Sequence, residues 1–415
     1  MRRALVLLVA LAGVASGCSS SRAGPVARIG LLYPTAGPQG AQGRAEQRGV
    51  ELAAEWANDH GGVGGRRLRL VAAPADRAEA VPPAMESLRR KGVSVVVGSH
   101  GSAVSATAAR MATDRGMLLW ETGAVGQTDG DVAGASHFIR MAPMGANLGR
   151  AAIDFVADQL APKLGATRPL RYAVAYVDDP YGRAVGLGAL DEIGGRAEPL
   201  AGTFPYAATG TDFAALAGRI AASSPDVLFV SAYLEDGVAL RRALVAARVP
   251  LLASVGTSSS YCLPAFGERL GPDAVGLFAS DKPDAADVRA DLLSPEGRAA
   301  LEWGRSRYQD RYGEPMDAPA LSGFANALAL FSHVLPAARR LDPAAVASAA
   351  LSTKLPEGSL PNAGGLDIAG PGTPDAGANR RPANVIWEWV APGQRAVVWP
   401  PAFANHPLLA LPLAR

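Results

Sequence analysis

Cysteine is nearly absent: the 415 residues contain Cys18 near the start and Cys262 in the body of the chain, and no other. A single thiol in the body closes no disulfide within it and builds no metal cluster, so the fold must rest on its apolar core and Cys262 is expected to be a small buried filler. The five histidines (His60, His100, His137, His333, His406) are dispersed without an i,i+4 pair, which gives metal ligation no support. An excess of one charge is also lacking. The formal net charge is +2 with acids and bases interspersed, so no stripe suited to a phosphate backbone exists and nucleic acid is excluded as a partner. Lysine is scarce, occurring only at positions 91, 163, 282 and 354. No Gly-x-Ser-x-Gly elbow is present, and Ser99-His100-Gly101-Ser102 sets its serines and histidine too close on one tight turn to aim at each other. An enzyme is therefore not expected, and no cofactor is called for. The glycine cluster Gly61-Gly62-Val63-Gly64-Gly65 follows a helix and opens a strand, the reverse of a dinucleotide-binding turn.

What is present fits a secreted globular chain. With 49% hydrophobic and 19% charged residues, the length allows two or three domains, each with its own core. Arg2 and Arg3 precede the apolar run Ala4–Val14, which is too short to span a bilayer, and Ala15-Ser16-Gly17-Cys18 follows. This has the three regions of a secretory signal. The small residues before Cys18, with Ser19-Ser20-Ser21 after it, resemble the lipobox and tether of bacterial lipoproteins, although Ala15 stands where leucine is commoner. Residues 1–18 are read as the lipoprotein signal, Cys18 as the lipidation site and 19–26 as the tether.

The stretch Val93–Gly126 is the most informative. Val93, Val95, Val96 and Val97 make a short continuous run suited to a strand buried on both faces, and Gly98-Ser99-His100-Gly101 stops it. A helix follows with Ser102 at the N-cap position, Gly116 ends it, and Met117–Trp120 is a second buried run. In open parallel sheets ligands sit outside the carboxyl ends of strands, so the turns Gly98–Ser102 and Glu121–Gly126 are expected side by side at one mouth. Gly98 and Gly101 permit close backbone approach, and Ser102 offers a hydroxyl beside the free N–H groups of a helix's first turn.

Elsewhere strands are expected at Ala27–Tyr33, Arg67–Val71, Tyr172–Val177, Val227–Ser231, Leu251–Ser254 and Ala274–Ala279. Helices are expected near Arg44–Asn58, Ala84–Arg90, Gly182–Ile193, Asp212–Ala222, Glu235–Ala247, Pro295–Tyr312 and Ala318–Arg340. This alternation is α/β, a parallel sheet covered on both faces.

The segments GLLYPTAGPQGAQGRAEQRGVELAAEWANDHGGVGGRRLRL, VSVVVGSHGSAVSATA and GMLLWETGA resemble the start of a type I periplasmic binding protein of the branched-chain amino acid (Leu/Ile/Val-binding) branch. The resemblance continues in order through Phe138–Arg140 with Pro143, YVDDPYGR, TGTDF, VLFVSAYLEDG and the closing VIWEWVAPGQRAVVWPP. It implies two lobes of doubly wound parallel sheet joined by a three-segment hinge, and delivery of a ligand to an ABC permease by a membrane-anchored monomer. The implied division is 27–142 and 278–358 for the first lobe, 143–277 and 359–415 for the second. The crossings would fall near Met141–Pro143, Phe278–Lys282 and Leu355–Leu360.

Carried over by position, the first lobe's ligand contacts fall on Gln42, Ser102 and the turn Gly123-Ala124-Val125. Those of the second fall on Tyr181, Tyr233 and Thr257, with Trp120 a further aromatic beside the turn. Two departures stand out. Val125 lies where amino-acid binders tend to carry a hydroxyl, and the loop Ala253–Cys262, which often supplies an acid for the ligand's ammonium, has no carboxylate. Either Glu121 or Glu235 serves instead, or the ligand is not a zwitterionic amino acid; Thr257, Ser258 and Tyr261 suit a hydroxyl- or amide-bearing ligand. Two rivals to an importer component remain: a ligand sensor of the same fold, and a docking lipoprotein with a degenerate pocket.

Overall fold

The structure is a computed structural model that describes residues 26–126, 135–373 and 375–414. The expected signal, the lipidation site Cys18 and nearly all of the tether lie outside the described residues.

Two sheets organise the chain. In the first lobe, β1 (Val26–Leu32), β2 (Arg67–Ala72), β3 (Val95–Gly98), β4 (Leu118–Glu121) and β5 (Phe138–Arg140) form a five-stranded parallel sheet in the order β2-β1-β3-β4-β5. In the second, β6 (Tyr172–Val177), β7 (Leu200–Tyr206), β8 (Val227–Ser231), β9 (Ala253–Thr257), β10 (Phe278–Asp281), β11 (Val385–Ala391) and β12 (Gln394–Trp399) form a seven-stranded sheet. Its order is β12-β11-β10-β9-β8-β6-β7, parallel except where β11 pairs antiparallel with β10 and β12. Every residue of β3, β4, β6, β8 and β9 is buried, as expected of central strands covered on both faces, and all but β9 are dominated by apolar runs.

Both sheets reverse their winding at the first strand, between β1 and β3 and between β6 and β8. Such switch points open a crevice at the carboxyl ends of the strands. The loops after β1, β3 and β4 face those after β6, β9 and β10 across it.

Helix α1 (Gly40–Asp59) packs on the helix Ala318–Leu328 with the two backbones nearly in contact: a Cβ at Gly49 would lie 2.0 Å from the Ala320 carbonyl oxygen, and one at Gly323 2.1 Å from that of Glu46. This contact seats Glu46 behind the β4 turn. The continuous helical segment Ala318–Ala338 is long and apolar enough to cross a membrane by length and composition, yet 89% of its most apolar window is buried inside the protein. It is a core helix of the first lobe.

Three crossings join the lobes, and two boundaries differ from expectation. After β5 the chain leaves the first sheet at Met141–Met144 and enters the helix Gly145–Phe155, whose Leu148, Ala152 and Phe155 belong to the second core. Strand β10 pairs with β9 and β11, so residues 278–281 belong to the second lobe and the chain crosses at Asp281–Lys282. The last crossing lies near Asn384, not Leu355–Leu360. Leu360, Ala363, Leu366 and Ile368 pack in the first core, and Ala378 bridges to Arg140 at that sheet's edge. The strand expected at Ala274–Ala279 begins only at Phe278, because Pro272 opens a 3-10 turn and Gly276 takes φ +81°.

Candidate functional site

Glu121 ends β4 fully buried, and its carboxylate ties the two expected turns together. Oε1 accepts the backbone N–H groups of Ser99 (2.7 Å), Gly123 (3.0 Å) and Ala124 (2.8 Å), with His100 N more distant at 3.3 Å. Oε2 accepts the hydroxyls of Ser99 (2.9 Å) and Ser105 (2.6 Å). A carboxylate so surrounded has no lone pair left for a ligand. Glu121 therefore positions the turns and is not the acid for a ligand ammonium, and the N–H groups of Gly123 and Ala124 are spent on it. It also offsets Arg140, whose guanidinium is pulled down to about 10 by burial while Glu121 holds it up.

Glu46 does the same from below. Its carboxylate accepts from Thr122 Oγ1 and meets His100 Nδ1 at 2.5 Å, and a Cβ on Gly123 would sit 2.0 Å from Oε2. Only glycine fits there. His100 adopts φ +65°, which turns its ring back onto Glu46.

Ser102 is not the N-cap. Gly101, with extended ψ of 127°, occupies that position, and Ser102 is the first residue inside the helix Ser102–Asp114. Its Oγ accepts the Gly126 N–H at 3.0 Å, which leaves its own O–H as a donor toward the crevice.

From the second lobe, Tyr181 is buried with its hydroxyl held by Thr257 Oγ1 (2.9 Å) and by the Ser259 N–H (3.2 Å). Burial raises its phenol above the ordinary value. Tyr233 packs its ring at 5.3 Å from that of Tyr181 and donates to Asp179 Oδ2 at 2.6 Å, so it braces Tyr181 from behind.

The lobes enclose a small cavity between these groups. Its walls are His100, Ser102, Gly123 and Val125 on one side and Tyr181, Ser258 and Ser259 on the other, with Asp281 and Lys282 at the crossing. The cavity measures only about 10 Å³, so the lobes stand nearly in contact. Of the residues expected at the ligand, Ser102, Gly123, Val125 and Tyr181 meet here, with Thr257 directly behind Tyr181.

The others lie elsewhere. Gln42 faces a separate groove with Arg44, Leu263 and Glu268, while Gln39 of the preceding loop lines the cavity. Trp120 is wholly buried and donates Nε1–H to the Asn326 carbonyl at 2.9 Å, a core residue and no platform. Glu235 is exposed and paired with Arg269, away from the cavity. Cys262 is the buried filler expected, its thiol donating to Asp281 Oδ2 at 3.0 Å.

Asp281 and Lys282 were not anticipated as site residues. A scarce lysine falling on a hinge crossing was the available signal. Burial pulls the Lys282 ammonium down, but Asp281 and then Glu46 outweigh it and hold the group above its ordinary value.

The model of the family described as "Periplasmic binding protein" matches residues 26–372. The Leu/Ile/Val-binding protein homolog 8 of Brucella suis biovar 1 is 25% identical over 363 residues, covering 86% of this chain and 88% of the homolog. Among solved structures, a leucine binding protein from Thermotoga maritima superposes with a TM-score of 0.73 at 16% identity, over 90% of this chain and 97% of that one. An ABC transporter solute binding protein from R. palustris, solved in complex with benzoate, gives 0.69 at 15% identity over 92% and 98%.

Proposed function

The chain belongs to the periplasmic binding protein family, and from that premise we propose that it is the extracytoplasmic solute-binding component of an ABC importer. It is a carrier and not an enzyme. Two type I lobes close on one small polar solute, and the closed pair of surfaces is what the permease subunits recognise.

One observation carries this reading: the interlobe cavity draws its polar groups from both lobes and from a hinge crossing. Ser102 and His100 come from the end of the first sheet, Tyr181 and Ser258 from that of the second, and Lys282 from the crossing that follows β10. A ligand touching all three favours the closed arrangement by contacts that the open one lacks, which is the thermodynamic requirement for ligand-driven closure. The pre-set serine hydroxyl and the fixed tyrosine ring supply polar and stacking contacts for a molecule of a few heavy atoms. Cys18 would be acylated and hold the protein at the membrane surface.

A thermal-shift screen of purified protein, stripped of copurified ligand, tests the reading with amino acids, carboxylates, amides, nucleosides and polyols. A ligand at about a hundred times its Kd adds roughly 2.7 kcal/mol of stability, a shift of several degrees. The expected hit is abolished by Ser102→Ala combined with Tyr181→Ala; silence across all classes would contradict the reading. Incorporation of a labelled fatty acid, lost on Cys18→Ala, tests the anchor.

A further inference from the structure

The cation in this cleft is the protein's own. Lys282 is buried at the second crossing with Nζ 3.4 Å from the Gly123 carbonyl oxygen and 3.6 Å from Asp281 Oδ1. One long hydrogen bond and one ion pair beyond hydrogen-bond length leave most of the donor capacity of a three-proton ammonium unspent, and the group lines the cavity.

The other groups that would receive a ligand ammonium are missing or committed. Glu121 is saturated by N–H and O–H donors, and Glu46 is held by His100 and Thr122. Asp179 accepts from Tyr233 and from the Gly182 N–H, and the loop Ala253–Cys262 has no acid. Val125 adds a hydrocarbon wall where a hydroxyl was expected. Among the described residues lining the cavity Asp281 is the one acid: one oxygen takes the Cys262 thiol, and the other, without a hydrogen-bond partner, faces Lys282 at 3.6 Å. A ligand ammonium seated by Gly123 or Asp281 would stand beside Lys282 and meet its like charge in a desolvated site.

Resting on the solute-binding reading above, we propose that Lys282 takes the place of a ligand ammonium, so that the solute is a small carboxylate without an α-amino group. Its carboxylate is received by the Lys282 ammonium and the Ser102 hydroxyl. Val125 and the Tyr181 ring cover its carbon skeleton, and the class includes 2-oxo acids and simple aromatic carboxylates.

Calorimetric titration of stripped protein with matched pairs tests this: leucine against 4-methyl-2-oxopentanoate, phenylalanine against phenylpyruvate, alanine against pyruvate, with benzoate alongside. At least one carboxylate is expected to bind, and any oxo acid that does so binds a hundredfold or more tighter than its amino acid. Lys282→Met should weaken that ligand at least thirtyfold and Lys282→Arg less, whereas Lys354→Met, at a half-exposed lysine paired with Asp367 outside the cavity, should leave it within threefold, all three variants being checked for native melting. An amino acid binding as tightly as its oxo acid, or a carboxylate bound as tightly by Lys282→Met as by the wild type, overturns the proposal while leaving the carrier reading intact. Silence from every probe also overturns it; the carrier reading then stands or falls on the broader screen.

Discussion

Replacing Glu121 by glutamine isolates the function assigned to its carboxylate. The amide can turn its NH2 toward Ser99 and Ser105, whose hydroxyls rotate to accept, and keep its oxygen toward the N–H groups of Ser99, Gly123 and Ala124. The geometry survives, but the charge is lost. Hydrogen bonds to an ionised acceptor exceed neutral ones by about 1 kcal/mol each, so the N–H contacts alone forfeit roughly 3 kcal/mol. Arg140 loses its compensating carboxylate in a buried site, which brings the total to about 4 kcal/mol. For a chain of this size that lowers Tm by roughly 5 °C. Glu121→Ala, which orphans every donor, should cost more and yield little folded protein. Calorimetric melts of both variants give the answer. A Glu121→Gln protein within about 1 kcal/mol of wild type would refute the reasoning and return the carboxylate to the list of groups free to meet a ligand.

Other consequences can be measured the same way. Gly123→Ala drives a methyl group into the Glu46 carboxylate and should cost about 3 kcal/mol or more, seen as a lower melting temperature together with weakened ligand binding. Tyr181→Phe removes the hydroxyl shared by Thr257 and Ser259 and should cost about 1–2 kcal/mol in denaturant unfolding. Burial raises the carboxyls of Asp236, Asp287 and Asp317 to about 6 from the ordinary 3.8. Their folded-state pKa values lie above the unfolded ones, so ionisation costs stability at neutral pH and that cost is relieved as pH falls from about 7 toward 4. Melting temperature should therefore rise between pH 7.5 and 5. It should fall again below about 4, where Asp76 and Asp226, held below their ordinary range by hydrogen bonds from the Thr35 N–H and from Arg168, take up protons. Asp317→Asn keeps the cap on Ala320 N and should flatten part of the rise; a melting temperature that drops steadily from pH 7.5 to 5 would contradict the assignment.

The α/β alternation was legible because strands buried on both faces leave continuous apolar runs, as at Val95–Val97 and Val227–Val230, with helix periodicity between them. The exposed edge strand β7 (Leu200–Tyr206) leaves no such run and was missed. So was the Gly145–Phe155 helix, whose start carries no side-chain cap. At the site, Ser102 and Gly123 could be placed because their turns follow strand ends, and Tyr181 through the family resemblance. The role of Glu121 could not: it joins the N–H groups of its own following turn to the Ser99 N–H 22 residues away, which no side-chain pattern announces. Gln39 and Gln42 lie one helical turn apart across the start of α1, and sequence alone does not say which face turns toward the crevice. Lys282 was hidden differently, since its neighbour Gly123 is 159 positions distant in the other lobe and only the meeting of the two lobes brings them together.

In the proposed cycle a solute bridges the lobes and holds them closed. Small-angle X-ray scattering of stripped protein, without ligand and with a saturating ligand from the screen, addresses it directly. The account predicts a smaller radius of gyration and a shorter maximum dimension on binding, both reversed in the Ser102→Ala, Tyr181→Ala protein. Scattering that does not change while calorimetry reports one bound solute per chain would contradict it.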